Sequence, residues 1–378
     1  MGLPLEGVIV LEFSQYLSGP CAGLRLADLG ARVIKIEHPE KGEAGRKLAI
    51  KNLWVDNSSL LFHTINRNKE SFAADLNNGE HMEWVRKLIA RADVLVHNFR
   101  PGVMERRGLG YEALKNLHPS LVYTQISGYG ETGPWKNKPG QDLLVQSLSG
   151  LAYTTGSFND APTPVGLGIG DYLCGNQAVQ FILAALLKAR KTGRGTLLQL
   201  SLMESLVDFQ FEFFTTYFQS GKVPERAQFN NANALLSAPY GIYKTLDGYL
   251  AVAMMPIAAL NRALQCPQLE AYAEEDAFAE RDEIKRVIAG RLMENTNGYW
   301  LERTEALDLW VMPVLNWEQM RATGGYRELG MEQEIVLANN QRFTTTRCPV
   351  RINGALLTCA KPAPAIGEDN DSIKNFLA

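Results

Sequence analysis

In the N-terminal part of the chain, short apolar runs alternate with stretches in which apolar residues recur at the spacing of a helix face. This alternation most constrains the fold. An apolar run at 7–13 (GVIVLEF) precedes a leucine-rich helical stretch that stops at Gly30, and a second run at 31–37 (ARVIKIE) follows. The pattern returns as a helical stretch at 81–92 and an apolar run at 93–99 (DVLVHNF). Strands that alternate with helices predict an α/β domain with a doubly wound, Rossmann-like parallel sheet.

The pattern of apolar and charged residues changes near residue 219. An Asp-Gly pair at 247–248 lies between two apolar runs and predicts a β-hairpin, and charged helical stretches follow it. The chain has 378 residues, enough for about two domains. We therefore predict a large domain over 1–218, to which 328–378 returns, and a smaller α+β domain over 219–327.

Charge and cysteine content exclude several classes of function. The net charge of −3 indicates no basic surface for nucleic acid. No apolar run approaches the roughly 20 residues that a membrane span needs. The five cysteines form no CxxC pair and no HExxH motif occurs, so we expect neither a metal site nor a disulfide framework. No secretory leader is visible, and we expect a cytoplasmic protein.

The first turn between strand and helix argues against a dinucleotide enzyme. Glu37 ends the second predicted strand, where an acid that binds ribose would lie. However, Gly19 and Gly23 do not form the G-x-G-x-x-G pattern, and Pro20 lacks the backbone donor that a pyrophosphate needs. A second glycine-rich stretch at 166–170 (GLGIG) lacks that spacing too, and it lacks the lysine of a P-loop.

Asp171 follows this glycine-rich stretch and precedes a long apolar helix predicted over 172–191. It is interpreted either as an N-cap, which accepts a hydrogen bond from a free N–H group of the helix, or as a reactive carboxylate. The two roles are compatible, because a helix N-terminus favours the charged form that a nucleophile needs. The flanking glycines have no side chains, so a substrate could approach the carboxylate closely.

Five ordered stretches resemble the class III CoA-transferases, a family that includes formyl-CoA transferase and the carnitine and bile-acid CoA-transferases. The resemblance covers nearly the whole chain, and its stretches lie at 10–43, 96–114, 127–134, 141–151 and 169–195. It implies an enzyme that moves CoA from an acyl-CoA donor to a free carboxylic acid. In such an enzyme Asp171 is the nucleophile and carries an acyl anhydride, then a CoA thioester. The resemblance also implies an interlocked homodimer and no permanently bound cofactor, with the coenzyme A thioester as substrate.

The same resemblance implies a set of residues around the substrate. The CoA contacts are Leu17, Ser18, His38, Ala74, Asn77, Asn98, Phe99, Arg106 and Lys138, and the residues near the reacting groups are Gln15, Gln141 and Asp142. Two positions depart from the family pattern, since His38 replaces an arginine and Asn77 ends a stretch that usually ends in lysine. Structural roles stay open for Asn98 as a turn residue, Arg106 as a solvated helix residue and Asp142 as a helix cap.

Two other functions stay open. The α-methylacyl-CoA racemases share the fold and use a histidine and an aspartate as paired bases, but the position of their histidine is Gln141 here, and glutamine is not a base. A non-catalytic acyl-CoA-binding protein would keep the CoA contacts without covalent chemistry. Some relatives close a glycine-rich loop over the site, whereas the corresponding stretch at 229–241 (FNNANALLSAPYG) has no glycine before Gly241. The sequence therefore does not predict closure of such a loop.

Overall fold

The computed structural model describes residues 2–359 and 361–378. Strands and helices alternate along the N-terminal half of the chain. In chain order the strands are β1 (Ile9–Glu12), β2 (Arg32–Glu37), β3 (Trp54–Val55), β4 (Ser58–Ser59), β5 (Glu70–Ala73), β6 (Val94–His97), β7 (Val122–Ser127), β8 (Thr196–Ser201), β9 (Gly241–Lys244), β10 (Tyr249–Val252), β11 (Val311–Pro313), β12 (Glu332–Val336), β13 (Arg342–Thr346), β14 (Arg351–Ile352) and β15 (Ala355–Leu356).

The helices vary from a single turn to the 24 residues of the helix that contains Asp171. They are α1 (Ser18–Asp28), α2 (Leu60–Asn66), α3 (Gly79–Ile89), α4 (Val103–Arg106), α5 (Tyr111–Leu114), α6 (Asp142–Leu148), α7 (Ile169–Thr192), α8 (Leu202–Phe209), α9 (Phe211–Ser220), α10 (Ile257–Leu264), α11 (Arg281–Leu292), α12 (Asn297–Glu305), α13 (Trp317–Ala322), α14 (Gly324–Leu329) and α15 (Asn370–Leu377). Short 3-10 helices span Ala44–Lys47, Ile50–Asn52, Leu151–Tyr153, Pro267–Ala271 and Glu274–Asp276.

Six parallel strands form the central sheet, in the order β5-β2-β1-β6-β7-β8. Every residue of β6 and β7 is buried, as expected of parallel strands that helices cover. Residues of β1, β2, β6 and β7 pack with those of α3 and α15 in one apolar core. The predicted α/β class with a parallel sheet is confirmed. Strands are added on one side of β1 as far as β5 and on its other side from β6 onward, so the order reverses between β1 and β6.

A buried cluster of charges lies under the start of α1. The carboxylate of Glu12 in β1 accepts hydrogen bonds from Lys35 Nζ and Lys69 Nζ, each at 2.8 Å. A Cβ atom at Gly23 would lie 1.7 Å from Glu12 Oε2. Packing therefore explains why position 23 is a glycine, since a side chain there would displace the carboxylate of Glu12. This explanation does not involve phosphate binding.

Contacts divide the described chain into two compact units. The first comprises residues up to 145, 168–206 and from 329 onward, and the second comprises 146–167 and 207–328. The predicted domain division at residues 218 and 219 assigns the stretches 146–167 and 207–218 to the large domain instead, and it stays a prediction.

The second unit has its own apolar core, with Trp300 fully buried in it. Its sheet has the order β11-β10-β9, and β9 and β10 form the predicted antiparallel hairpin around Asp247 and Gly248. Among the described helices, none combines the length and apolar character needed to cross a membrane. The described residues also contain no group of three or more His, Cys, Asp or Glu side chains arranged to hold a metal ion.

Candidate active site

The carboxyl ends of β1 and β6 meet where the strand order reverses, which is where open α/β sheets bind their ligands. Asn98 directly follows β6, and both the oxygen and the nitrogen of its side-chain amide bind the turn after β1. Its Oδ1 accepts the backbone N–H of Gln15 at 2.8 Å, and its Nδ2 donates to the Gln15 carbonyl at 2.7 Å. Nδ2 also lies 3.3 Å from the hydroxyl oxygen of Ser18. Asn98 therefore fixes the turn that leads into α1.

Asp171 lies in the first turn of α7 but is not its N-cap. The helix begins at Ile169, and the N-cap position is occupied by Gly168. The interpretation of Asp171 as the N-cap is therefore wrong. The side chain that caps α7 is Asp142, whose Oδ1 accepts the backbone N–H groups of Gly170 at 2.7 Å and Asp171 at 3.2 Å. Two of the free donors at the start of α7 are satisfied in this way.

The carboxylate of Asp171 faces the start of a different helix, α1. It accepts hydrogen bonds from the backbone N–H and the hydroxyl of Ser18, the first residue of that helix. The two helices approach closely, because a Cβ atom at Gly175 of α7 would lie 2.6 Å from the Ser18 carbonyl oxygen. Leu17, the N-cap residue of α1, offers no side-chain cap, so the Asp171 carboxylate supplies the acceptor that this helix start lacks.

The pKa of Asp171 is raised from 3.8 to about 6. Burial is the largest cause and the nearby charge of Asp142 adds to it, whereas the hydrogen bonds from Ser18 act in the opposite direction. The donors at the start of α1 favour the ionised form of this carboxylate, but desolvation outweighs them. No ion pair in the described part of the chain includes Asp171. Above pH 6 the group is a poorly solvated carboxylate, which suits a nucleophile.

The three glycines before this aspartate have different surroundings. A Cβ atom at Gly170 would lie 3.0 Å from Oδ1 of Asp142, and one at Gly168 would lie 3.0 Å from Leu17 Cδ2. Nothing lies within 4 Å of the corresponding position at Gly166. Two of the glycines therefore make room for the protein's own cap and helix start, and clearance for a substrate stays a prediction.

A cleft of about 180 Å³ lies at the carboxyl ends of β1, β2 and β5 and beside the segment after β6. Apolar side chains, among them Phe13, Leu76 and Val103, form part of its wall. Five residues that the family resemblance implicated line it: Gln15, His38, Ala74, Asn77 and Phe99. His38 Nδ1 accepts the backbone N–H of Glu40 at 3.2 Å, so a neutral ring carries its proton on Nε2.

Three other predicted residues lie on the surface away from the lining of this cleft. Arg106 and Lys138 are exposed, and Gln141 is exposed just before α6. Instead of Arg106, the neighbouring Arg107 lines the cleft and is half-buried. The sequence motifs did not indicate Arg107. The only signal available was the Arg-Arg pair itself, which does not indicate which side chain turns inward.

Glu37 has partners that make it a structural acid. Arg46 binds both of its oxygens, with Nε at 2.8 Å from Oε2 and Nη2 at 2.6 Å from Oε1. The hydroxyl of Ser71 donates to Oε1 at 2.6 Å. Burial acts to raise the pKa of Glu37, but the hydrogen bonds and charge of Arg46 lower it overall. Both carboxylate oxygens are thus engaged, which agrees with the sequence argument against a ribose-binding acid.

Comparisons with known proteins identify the family of this chain. The model of CoA-transferase family III matches residues 5–370. The chain belongs to CoA-transferase family III. The succinate–glutarate CoA-transferase of Agrobacterium fabrum is 30% identical to this family III chain, over 97% of it and 93% of the relative. The human succinyl-CoA:glutarate CoA-transferase is 29% identical, over 98% of the chain and 85% of the relative. A solved CaiB/BaiF family protein from Brucella suis superposes with a TM-score of 0.86 at 29% identity, covering 100% of both chains.

The resemblance inferred from the sequence motifs is thereby confirmed, and the protein is an enzyme of the CoA-transferase class. In this family III enzyme, the turn from Gln15 to Ser18 joins the cleft to the carboxylate of Asp171, because Gln15 lines the cleft and Ser18 binds Asp171. Among the described residues, no histidine shifts the pKa of Asp171.

Proposed function

We propose that the enzyme transfers CoA from an acyl-CoA to a free carboxylic acid with Asp171 as the covalent carrier. The observation that carries this proposal is the environment of Asp171. Its carboxylate is half-buried, has hydrogen-bond donors from Ser18 but no cation partner among the described ion pairs, and has a pKa raised to about 6. A carboxylate that is ionised at neutral pH yet poorly solvated is an effective nucleophile toward a thioester.

The reaction proceeds in four acyl transfers. An oxygen of Asp171 attacks the thioester carbonyl, the C–S bond breaks, and a mixed anhydride and the CoA thiolate form. The thiolate attacks the aspartyl carbonyl, which yields an aspartyl-CoA thioester and releases the donor acid as its carboxylate. The acceptor carboxylate attacks this thioester and expels the thiolate, giving a second anhydride. The thiolate then attacks the acceptor's acyl carbonyl, which forms the product thioester and restores Asp171.

The neighbours of Asp171 have distinct roles in these steps. Ser18 donates two hydrogen bonds to the carboxylate and orients it, and the same donors stabilise negative charge that develops on the aspartyl carbonyl oxygen. Asn98 holds the turn that contains these donors. Asp142 occupies two of the free N–H groups of α7, those of Gly170 and Asp171, so that these two do not compete for the reacting carboxylate.

We further propose a small dicarboxylic acid of four or five carbons as the acceptor. Two relatives that match nearly the whole chain are named for succinate or succinyl-CoA together with glutarate. A panel of acids tested with succinyl-CoA, acetyl-CoA and formyl-CoA as donors checks this. Efficient transfer to succinate or glutarate is expected, and a preference for monocarboxylic acids would contradict it.

Racemisation of an α-methylacyl-CoA is the weaker candidate. It needs a second base close to Asp171, and the position implied for that base is Gln141, an exposed glutamine. Exchange of the substrate α-hydrogen in deuterium oxide, without transfer to an acid, would favour the racemase instead.

The proposal includes a homodimer and a cytoplasmic location. Helix α9 has no buried residue although it is rich in phenylalanine, and Phe211 and Phe218 are 62% and 74% exposed. An exposed apolar surface of this kind supports coverage by a second copy of the chain. Light scattering after size-exclusion chromatography is expected to give twice the chain mass, and a monomer would contradict the proposal. All five cysteines are free, which fits a reducing compartment.

Trapping the covalent carrier tests the central step. The enzyme is incubated with an acyl-CoA in the absence of acceptor and then treated with hydroxylamine, which converts an aspartyl thioester or anhydride into a hydroxamate. Peptide mass spectrometry is expected to locate the adduct on Asp171, with none in the Asp171→Asn variant. CoA binding with no adduct and no exchange of the α-hydrogen would leave only a binding protein.

A further inference from the structure

A second cavity, of about 480 Å³, lies where β7 and β8 form one end of the central sheet. Gln125 of β7 and Leu197 and Gln199 of β8 line it from the side of the sheet. The other lining residues lie at α4, at α5 and in the loop after β7, and no residue lines both this cavity and the cleft. Five of the six residues of β8 are incompletely buried, so this end of the sheet is accessible to a ligand.

The side-chain amide of Gln125 lies in this lining without a hydrogen-bond partner. Gln125 is only 6% exposed, and none of the hydrogen bonds in residues 2–359 and 361–378 involves its side chain. Its neighbours do not supply a partner: the hydroxyl of Tyr123 donates to the Leu109 carbonyl, and both ring nitrogens of His97, opposite Gln125 on β6, lack partners too. Because an unpaired buried amide is costly, the contents of the cavity must supply its partner.

Two acids of the lining, Glu105 and Glu131, carry uncompensated charge. Neither takes part in an ion pair in the described part of the chain, whereas the third acid of the lining, Glu112, is paired with Lys115. Burial is the main cause that raises the pKa of Tyr123, and the charges of Glu105 and Glu131 add to it. Both carboxylates therefore approach the same phenol, and together they attract a cation to this cavity.

The rest of the lining favours an organic cation over a metal ion. The described residues contain no group of three or more His, Cys, Asp or Glu side chains that could hold a metal. Tyr111 and Leu197 offer apolar surface, and an aromatic ring attracts an ammonium group through its face. Lys136 also lines the cavity, is half-buried, and is in no ion pair found among residues 2–359 and 361–378.

We propose that this cavity is a second ligand site, which binds a small organic ammonium ion. The ammonium lies between the carboxylates of Glu105 and Glu131 and donates to the amide oxygen of Gln125, while the apolar part of the ligand packs against Tyr111. A simple amine and an α-amino acid share this ammonium group. In an amino acid, the carboxylate would in addition pair with Lys136, so the two sources differ in their dependence on that lysine.

Three probes with the same hydrocarbon part test the site by saturation-transfer NMR of the full-length enzyme: 3-methylbutylamine, L-leucine and 3-methylbutan-1-ol. The amine is expected to bind about tenfold more tightly than the alcohol, because only the amine carries the charge. The signal of the amine should persist when CoA is saturating. Equal binding of amine and alcohol would overturn the proposal, and so would loss of the amine signal with CoA, which would place the amine in the cleft.

The leucine probe identifies the source of the ammonium group. Tighter binding of leucine than of the amine, with the advantage lost in Lys136→Ala, would support an amino acid as the ligand. Weaker or equal binding of leucine would support a simple amine, and the ammonium site stands in both cases.

Variants of the lining locate the binding. Glu105→Gln and Glu131→Gln are each expected to weaken amine binding about threefold, and the double variant about tenfold. Gln125→Leu removes the amide at similar volume and should weaken it about fivefold. Glu83→Gln, an exposed acid on α3, is the control for loss of a surface charge and should leave amine binding unchanged. Wild-type affinity for the amine in the double variant, or in Gln125→Leu, would overturn the proposal.

Discussion

Two carboxylates near the carboxyl edge of the same sheet have opposite surroundings. Glu37 ends β2 and is bound on both oxygens by Arg46, so its pKa is lowered despite its burial. Asp171 opens α7, receives hydrogen bonds from Ser18 and faces the negative charge of Asp142, so its pKa is raised to about 6. The acid that stabilises the fold is paired with a cation, whereas the acid proposed to react has donors but no cation partner among the described residues.

Glu12 extends the first half of this comparison. It is fully buried, and two lysines bind it, so its pKa is lowered although burial alone would raise it. Lys35 also donates to the carbonyl of Ser14 and Lys69 to that of Pro20, each beside the turn that leads to Ser18. The acids that are paired with cations, Glu12 and Glu37, thus stabilise the strands and the turn beside Asp171.

Removal of the unpaired carboxylate has the largest expected effect. In Asp171→Asn we expect transfer to fall at least about 10³-fold, because no covalent carrier remains, while CoA affinity changes less than about threefold. Kinetic assays and calorimetry check the two effects separately. Transfer close to the wild-type rate would refute the nucleophile, and a large loss of CoA affinity would indicate a disturbed cleft instead.

The same variant is expected to be more stable than the wild type at alkaline pH. Because the folded pKa of Asp171 exceeds its usual value of 3.8, the folded state binds the proton more tightly than the unfolded state, and stability is lost as the pH rises from about 4 through about 6. The amide removes this cost, which is at most about 3 kcal/mol at pH 8. Urea denaturation at pH 5 and pH 8 measures the gain, which should be larger at pH 8.

The paired acid is predicted to respond with the opposite sign. Glu37→Gln leaves the guanidinium of Arg46 buried without its counter-charge, so we expect a loss of about 3–5 kcal/mol in the free energy of unfolding. Urea denaturation at neutral pH measures it, with Glu40→Gln, an exposed acid in the following turn, as the matched control. A stability gain in Glu37→Gln would erase the distinction between the two carboxylates.

Local sequence patterns predicted the sheet and the family to which these carboxylates belong, but not the groups that bind each carboxylate. The strand and helix alternation gave the parallel sheet, and the motif around Asp171 gave the family, because both are signals within short stretches of sequence. The helix start that Asp171 caps belongs to α1, and the cap of α7 comes from Asp142 on α6. Such pairings depend on how distant segments pack. Likewise, the choice between Arg106 and Arg107 depends on the rotation of one short helix, which periodicity over four residues does not fix.

A donor to the reacting carboxylate provides a smaller test. Ser18→Ala removes the hydroxyl hydrogen bond and keeps the backbone one, so we expect about a tenfold loss of kcat. Because that bond lowers the pKa of Asp171, the acid limb of the kcat/KM profile should also move to higher pH. Ser18→Thr keeps a hydroxyl and is expected to retain most of the activity and the wild-type profile. A loss of kcat with an unchanged acid limb would assign Ser18 a purely structural role.

The smallest effect is expected where the like charge is removed and the geometry is kept. Asp142→Asn retains an oxygen that can accept the N–H groups of Gly170 and Asp171, but it no longer opposes ionisation of Asp171. The acid limb of kcat/KM, expected near pH 6 in the wild type, should therefore move to lower pH by less than about one unit, since burial remains the larger cause. Asp142→Ala loses the cap as well and should cost about 1 kcal/mol of stability, a loss that the asparagine avoids. An acid limb at the same pH in Asp142→Asn as in the wild type would mean that desolvation, and not the charge of Asp142, raises the pKa of Asp171. The contrast with Glu37 would then depend on the cation that pairs with Glu37 and not on Asp142.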